Sequence, residues 1–474
     1  MELNLWLIAP EIALCGLIFL VMAVDLIFLR SSRKGWLGLL SAAGLCVILA
    51  LLAGLKEMRG SLLGGFLADP LAFDFKLIFL VAAGLCSLAS VDFAGRHLRW
   101  PGEFFSLLLF STLGFMIMVS AGDLILLYLG LELGTISLYA LSAMQKDRPR
   151  SGEAGLKYLI MGAVSSAVFL YGASLIYGSL GTTVFAEMQP LENAGPALVV
   201  GGVMVLAAFA FKITAVPFHM WAPDVYQGAP TPITGFLSVA SKAAGFGALI
   251  RLFMGPLFSL QGNWFAILMV LSGLSMVAGN LLALPQSNIK RMLAYSGIAQ
   301  AGYLLIALCA LTEKGMTSAV FFLFQYLFVN LGAFIVVTLV GSSVGNDEIR
   351  SYAGLSRRNP LLALCLLLFL LSLGGIPPLS GFWGKLFLFW AGIDQNLYFL
   401  VLIGVLASVL SLYYYLMVAR QMYIEDPPET TPLPVSLPAS IALIICALAV
   451  ILLGYPKPWI ALAQAAAKSL GLPQ

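Results

Sequence analysis

The chain has 474 residues, of which 61% are hydrophobic and 10% charged, and its mean hydropathy is +1.00. A soluble domain carries about 25% charged residues, so this composition cannot clothe a water-facing surface, and lipid is the main solvent. The formal net charge of +3 comes without any basic run, which excludes a nucleic-acid surface; the bilayer is the partner that composition demands.

A spanning helix needs about 20 apolar residues, and open sheets are excluded because lipid leaves their edge groups unpaired. Fourteen spans are predicted, near 5–29, 36–55, 71–91, 104–121, 123–144, 155–180, 196–218, 232–253, 264–284, 291–311, 315–341, 360–391, 397–420 and 435–453. The first reads as a span and not as a secretory signal, because Glu2 is its early charge and the run from Leu5 to Leu29 is too long. The tail 456–472 is too short and too polar for a further span. It reads as an interfacial helix with Trp459 and Lys468 as anchors. The fold class is all-α and polytopic, with 1–474 as a single membrane domain.

Basic residues test the count. One set of alternate loops holds Arg30, Arg33, Lys34, Arg96, Arg99, Lys146, Arg148, Arg150, Lys290, Arg291, Arg350, Arg357, Arg358 and Arg420; the opposite set, helix ends included, holds Lys56, Arg59, Arg251, Lys314, Lys457 and Lys468. The richer set marks the cytoplasmic side, which places both termini outside. Cys15, Cys46, Cys86, Cys309, Cys365 and Cys446 all lie in apolar stretches without metal-ligand spacing. They read as packing residues, so no metal site and no iron–sulfur cluster is expected in this chain.

The remaining lysines fall inside spans: Lys76, Lys157, Lys212, Lys242 and Lys385. Each costs about 2.5–3.5 kcal/mol at a helix centre on insertion scales, so such groups face a polar interior, a partner or a water file. Lys76, two residues from Asp74 near a span end, reads as interfacial. Glu132 lies in the middle of LLYLGLELGTISLYAL (126–141) and is the matching anion. Making and breaking a Glu132–Lys212 pair would switch a proton carrier, and lysine suits this because burial moves its proton affinity whereas arginine stays charged; a static structural pair is the alternative. Lys157, beside Glu153 at i−4, is either part of the relay or half of a surface pair. Lys242 follows Ser241 and is either the relay's centre or locally capped, and Lys385 is either a relay group or a snorkelling side chain.

Two spans are broken. In 209–236, Pro217 removes a donor and clashes with the preceding turn, and Pro223, Pro230 and Pro232 keep the following chain out of regular helix. His219, just after that break, is a structural or capping residue, or a relay or gating group. In 371–385, Gly374, Gly375, Pro377 and Pro378 interrupt the span in its middle. Irregular backbone at membrane depth is tolerated where it lines a cavity or is buried in protein. The breaks stand about 160 residues apart, which suggests two five-helix repeats, 104–253 and 264–420, each with a broken helix. An odd number of helices per repeat requires the two to be inverted across the membrane.

The stretch 209–246, with Lys212, Pro217, His219, Trp221, Pro223, Asp224, Gly228, Pro230, Thr231, Pro232 and Lys242, resembles the signature of the antiporter-like subunits of respiratory complex I. The subunit N branch fits best. It is similar in the LAPEIAL start (7–14), in LELGTISLYAL around Glu132, in GLKYLIMGAVSSAVFLYG around Lys157, in KRMLAYSGIAQAGY (290–303) and in IPPLSGFWGK (376–385). The resemblance covers nearly the whole chain. It implies that Glu132 pairs with Lys212 under modulation by Lys157, that Lys242 is the central relay, and that Lys385 serves an outward half-channel. It further implies a translocase subunit of an NADH:quinone oxidoreductase in a bacterial inner membrane. FMN, iron–sulfur clusters and quinone would sit in partner subunits, and the partners would be other antiporter-like and small membrane-arm subunits and a peripheral NADH-oxidising arm. Competing readings are an Mrp-type cation/proton antiporter subunit, the equivalent subunit of a ferredoxin- or hydrogenase-linked complex, and a structural scaffold, against which the intramembrane lysines argue.

Overall fold

The computed structural model describes residues 4–27, 34–188, 195–427 and 431–473. Glu2, Arg30 and Arg33 lie outside the described residues. In chain order, a 3-10 turn Leu5–Ile8 leads into α1 (Ala9–Ile27), then α2 (Leu37–Gly54), a small antiparallel hairpin of β1 (Gly60–Leu62) and β2 (Phe66–Ala68), α3 (Pro70–Ala89) and the short α4 (Val91–His97). The first large group follows as α5 (Pro101–Val119), α6 (Leu124–Ser142), α7 (Pro149–Leu180), α8 (Pro196–Lys212), α9 (Trp221–Gly228), α10 (Thr231–Phe236) and α11 (Lys242–Phe253). The second group is α12 (Gln261–Ala283), α13 (Ile289–Cys309), α14 (Glu313–Val344), the one-turn α15 (Leu355–Arg358), α16 (Pro360–Gly374), α17 (Ser380–Asp394) and α18 (Tyr398–Tyr423). α19 (Leu437–Leu452) and α20 (Lys457–Lys468) close the chain.

Local chemistry fixes the helix starts. The side chains of Asp69, Asp123, Asn288, Thr312 and Asn359 accept hydrogen bonds from first-turn amides of α3, α6, α13, α14 and α16, satisfying donors that have no partner within the helix. Pro70, Pro101, Pro149, Pro196 and Pro360 stand in first turns, where a missing N–H costs nothing. α7 and α14, each 32 residues long, both end on a left-handed glycine, Gly181 and Gly345.

Among the described residues, eleven helices are long and apolar enough to cross a membrane, or twelve if α19 and α20, bent by 89°, count as one span. The expected fourteen single spans are not reached, because the breaks leave α8 and α16 as shorter apolar helices. The hairpin was not expected either; it lies between α2 and α3, and Leu67 N and Gly122 N bond Ser120 O and Gly65 O, tying it to the end of α5. The tail is helical as expected, and α20 packs Ala463, Ala466 and Ala467 inward, against α14 and α3. The centre of the bundle is the segment Thr231–Phe253, wholly buried, with α13 and α14 beside it; α7 lies at the rim, only 22% buried in its apolar window.

Candidate functional site

The first break separates Lys212, the last residue of α8, from α9. Pro217 follows a cis peptide bond. Val216 N, released from helical bonding, donates to Ser275 Oγ of α12 at 2.8 Å, and Trp221 Nε1 donates back to the Phe211 carbonyl at 3.2 Å. The Trp221 ring stacks on Tyr158 of α7 with centroids 4.5 Å apart. The break is thus fastened to α12 and to the end of α8 and is not a frayed end, although Thr214 Oγ1 and His219 Nδ1 lie buried in it without a hydrogen-bond partner. Pro223 does not keep the chain out of helix: it sits in the first turn of α9, and Pro230 and Pro232 flank the start of α10, all positions where the amide would lack an acceptor. A π turn, Leu237–Ser241, then leads directly into Lys242; the inserted residue re-aims the side chains that follow.

Lys212 is buried, 3% exposed. Its Nζ donates to Thr135 Oγ1 at 2.5 Å and lies 5.2 Å from the Phe115 ring centroid. Glu132, one helical turn before Thr135 on α6, accepts through Oε1 from Ser166 Oγ of α7. The direct Glu132–Lys212 ion pair implied by resemblance is therefore not formed. Positions i and i+3 share a helix face, and the ammonium meets the threonine hydroxyl while the carboxylate is held by serine.

Lys157 is 44% exposed and pairs with Glu153 at 2.7 Å and with Asp224 of α9 at 2.8 Å. Arg291 reaches the same Asp224 at 2.6 Å. Lys157 thus joins α7 to the element after the break. His219 lies half-buried in the turn between α8 and α9 and makes no hydrogen bond to Lys212 or Lys242.

Lys242 is buried, donates to the Gly297 carbonyl of α13 and faces the Tyr326 ring at 5.7 Å. A Cβ at Gly297 would stand 3.1 Å from Nζ, so glycine permits this approach. The second break is capped by Gly375 at φ +85°, with Pro377–Pro378 a cis peptide bond. Lys385, inside α17, donates to Ser408 Oγ at 2.8 Å, approaches the Gly374 carbonyl left free at the break at 3.4 Å, and lies over the Tyr303 ring at 4.8 Å. It is 4% exposed and does not snorkel.

Between Lys242 and Lys385 stands a polar cluster that sequence reading missed. Tyr415 Oη is 2.5 Å from Ser296 Oγ, Tyr414 Oη donates to Asn280 Oδ1 at 2.9 Å, and Asn280 Nδ2 donates to Tyr303 Oη at 3.1 Å. Two ion pairs were also missed. Lys76 is buried against Glu11 of α1 at 2.8 Å. Arg251, taken above for a helix-end cation, is buried and grips Asp69 with both terminal nitrogens at 2.8 and 2.9 Å. Burial alone would raise the Asp69 carboxyl, but Arg251 and the Ala72 amide hold it below the ordinary carboxylate range. The residues that could have signalled these pairs, Glu11 in the first span and Asp69 before Pro70, stand in the sequence as isolated acids.

Two of the cavities are lined by charged side chains. One of about 490 Å³ is lined by Arg148, Arg150, Lys290 and Asp347. Lys290, expected in a loop, is buried at its edge and donates to Ala229 O at 2.8 Å. The other, about 270 Å³, lies between the start of α14, the end of α17 and α20, with the Lys314–Asp394 pair of 2.9 Å in its lining. Among the described residues no group of three His, Cys, Asp or Glu side chains could hold a metal ion.

Comparison with known proteins adds the following. Residues 121–411 match the family described as NADH:quinone oxidoreductase/Mrp antiporter, TM. The chain is 47% identical over 460 residues to the NADH-quinone oxidoreductase subunit N of Moorella thermoacetica, covering 96% of each chain. Among solved structures, it is similar to a chain of respiratory complex I from Thermus thermophilus with bound aureothin, at TM-score 0.82 and 32% identity, over 95% of this chain and 98% of that one. A chain of the Mrp complex from Dietzia sp. DQ12-45-1b shares the fold at TM-score 0.87 and 21% identity, over 98% of both chains.

Proposed function

This chain belongs to the NADH:quinone oxidoreductase/Mrp antiporter family, and from that premise we propose that it is the subunit-N-type, proton-translocating membrane-arm subunit of a respiratory NADH:quinone oxidoreductase. The observation that carries the reading is the set of three lysines, Lys212, Lys242 and Lys385, buried beside helix breaks and a π turn. Each ammonium is held by a hydroxyl or a carbonyl. Ionisable groups inside a membrane domain mark ion pathways, and discontinuous helices are where transporters place their sites.

In this reading Glu132 moves between Ser166 and Lys212. Lys157 biases that movement through Asp224, Lys242 passes the charge onward, and Lys385 releases it toward the outer face. His219, in the turn after Pro217, acts as a gate on the movement of α9 and not as a link in the relay. The repeats 104–253 and 264–420 are inverted with respect to each other, each supplying one half-channel, and 456–472 lies along the membrane surface. Both termini face the periplasm of a bacterial inner membrane. NADH oxidation on FMN, electron passage through iron–sulfur clusters and quinone reduction belong to partner subunits of the peripheral and membrane arms. The relatives named as subunit N stand well above the Mrp structure in identity, which ranks the Mrp-type antiporter second.

The deciding experiment replaces Lys212 with Ala in the intact complex and follows NADH-driven acidification of proteoliposomes. Pumping is expected to fall to background while the complex assembles with its full subunit complement. Wild-type proton stoichiometry in Lys212→Ala would end this reading.

A further inference from the structure

We propose that the cavity of about 270 Å³ between α14, α17 and α20 is a seat for one phospholipid headgroup, and that the head it takes is a zwitterion with a primary ammonium, of the phosphatidylethanolamine class. This seat is independent of any proton path. α14 begins at Glu313 and α17 ends at Asp394, so the cavity lies where a spanning helix and a half-helix leave the hydrocarbon. Its lining is divided. Phe321, Phe387, Trp390 and Ile460 form the apolar part, and Glu313, Lys314 and Asp394 the charged part. Trp390 is 58% exposed, and an exposed tryptophan beside charged helix ends marks the boundary between hydrocarbon and water. An amphiphile is the class of molecule that meets both kinds of lining at that depth. The space falls just below the range of small-molecule sites, about 300–1,000 Å³. It holds a headgroup, with the acyl chains outside along the exposed face of α17.

The charges select the head. Lys314 and Asp394 form one ion pair at 2.9 Å, their side chains 70% and 30% exposed. A pair this open to solvent contributes little, so it is readily exchanged. An ammonium carries three donors, and Asp394 takes one of those of Lys314. A zwitterion inserted beside the pair turns one ion pair into two, Lys314 with its phosphate and its ammonium with Asp394. Glu313 adds a second carboxylate, and with two acids to one base the rim disfavours an anionic head. A choline head is cationic but has no N–H, so it forfeits the charge-assisted hydrogen bonds that a primary ammonium makes to carboxylates. The walls are held before any lipid arrives: Ser318 Oγ of α14 donates to the Phe387 carbonyl of α17 at 3.2 Å, and Glu313 N donates to the Pro473 carbonyl, beyond α20, at 2.7 Å. Such preorganisation lowers the ordering cost of binding.

The test uses the intact complex in phosphatidylcholine vesicles carrying a trace of photoactivatable lipid, the same diazirine-bearing acyl chain being placed under an ethanolamine, a choline or a glycerol head. Labelled peptides are mapped by mass spectrometry. The ethanolamine probe is expected to label α17 around Trp390 and α20 around Ile460 severalfold more than the other two. Asp394→Asn should bring its labelling there down to the choline level, while labelling of the rim helix α7 stays as in wild type. Should that variant not assemble, Lys314→Gln removes the partner of the phosphate and carries the same expected loss. Equal labelling by all three heads would mean ordinary solvation by lipid, strongest labelling by the glycerol head an anionic-lipid site, and no labelling a cavity covered by a partner subunit; each overturns the proposal. So does an Asp394→Asn variant that keeps the ethanolamine preference.

Discussion

Lys212 and Lys385 stand on opposite sides of their breaks and are housed differently. Lys212 ends the half-helix before Pro217 and has a carboxylate one turn from its hydroxyl partner, Glu132 beside Thr135. Lys385 sits inside the half-helix that follows Pro378, bonded to a serine hydroxyl and a stray carbonyl above an aromatic face. The first site can therefore gain or lose a countercharge by a side-chain movement. The second relies on fixed dipoles and a ring quadrupole. The two lysine sites thus differ in whether their charge can be balanced on demand.

The contrast is broken or upheld most forcefully by deleting each charge. Lys385→Met and Lys212→Met should both reduce NADH-driven proton uptake to background, a loss of at least about tenfold for each 1.4 kcal/mol of barrier added. Their stabilities should separate. An ammonium at a helix centre costs about 2.5–3.5 kcal/mol, so Lys385→Met should unfold at or above the wild-type temperature, whereas Lys212→Met leaves Glu132 without its nearby cation and should gain less. Equal shifts in a thermal melt of the purified complex would erase the distinction.

The Glu11–Lys76 pair offers a static reference for both. Glu11→Gln leaves the Lys76 ammonium buried beside Phe66 without its counterion, which should destabilise the fold by about 3–5 kcal/mol, read as a lowered unfolding midpoint. Removing the hydroxyl partners should act more mildly, since a hydrogen bond to a charged group contributes about 1.5–3 kcal/mol. Ser408→Ala is expected to slow proton transport more than Thr135→Val, because Glu132 can take over at the first site and no carboxylate touches Lys385. The reverse order, measured as initial acidification rates, would show that the dipoles of the second site suffice without the serine.

The smallest effect concerns acid. The Asp69 carboxyl is held below its usual range by Arg251, so it lends stability that is complete above about pH 4, the unfolded value, and that fades as pH falls through the lower folded value. Asp69→Asn should flatten this acid limb of a stability–pH curve; an unchanged limb would show that the clasp adds nothing.

Much of this was legible in the sequence, for a definite reason. Lysines in apolar runs carry a free-energy penalty that demands explanation, and prolines within a span leave donors that must go elsewhere, so Lys212, Lys242, Lys385 and both breaks were visible. Thr135, Ser408, Asn280 and Tyr303 were not, because uncharged polar groups insert cheaply and look like packing residues. Glu11–Lys76 and Asp69–Arg251 were missed because each joins helices distant in sequence, and local spacing says nothing of them. Pro223 misled because the same residue that ends a helix from inside can begin one; only its register with the first turn decides.

One bond ties these parts mechanically. Val216 N, at the first break, is fastened to Ser275 on α12, and α12 runs without interruption from Gln261 to Ala283, past Asn280. Ser275 and Asn280 therefore ride on one rod. The linker after Lys212 cannot swing without either snapping that fastening or pulling the rod and, with it, the orientation of the tyrosines ahead of Lys385. The surroundings of the two breaks are thus linked by leverage through α12.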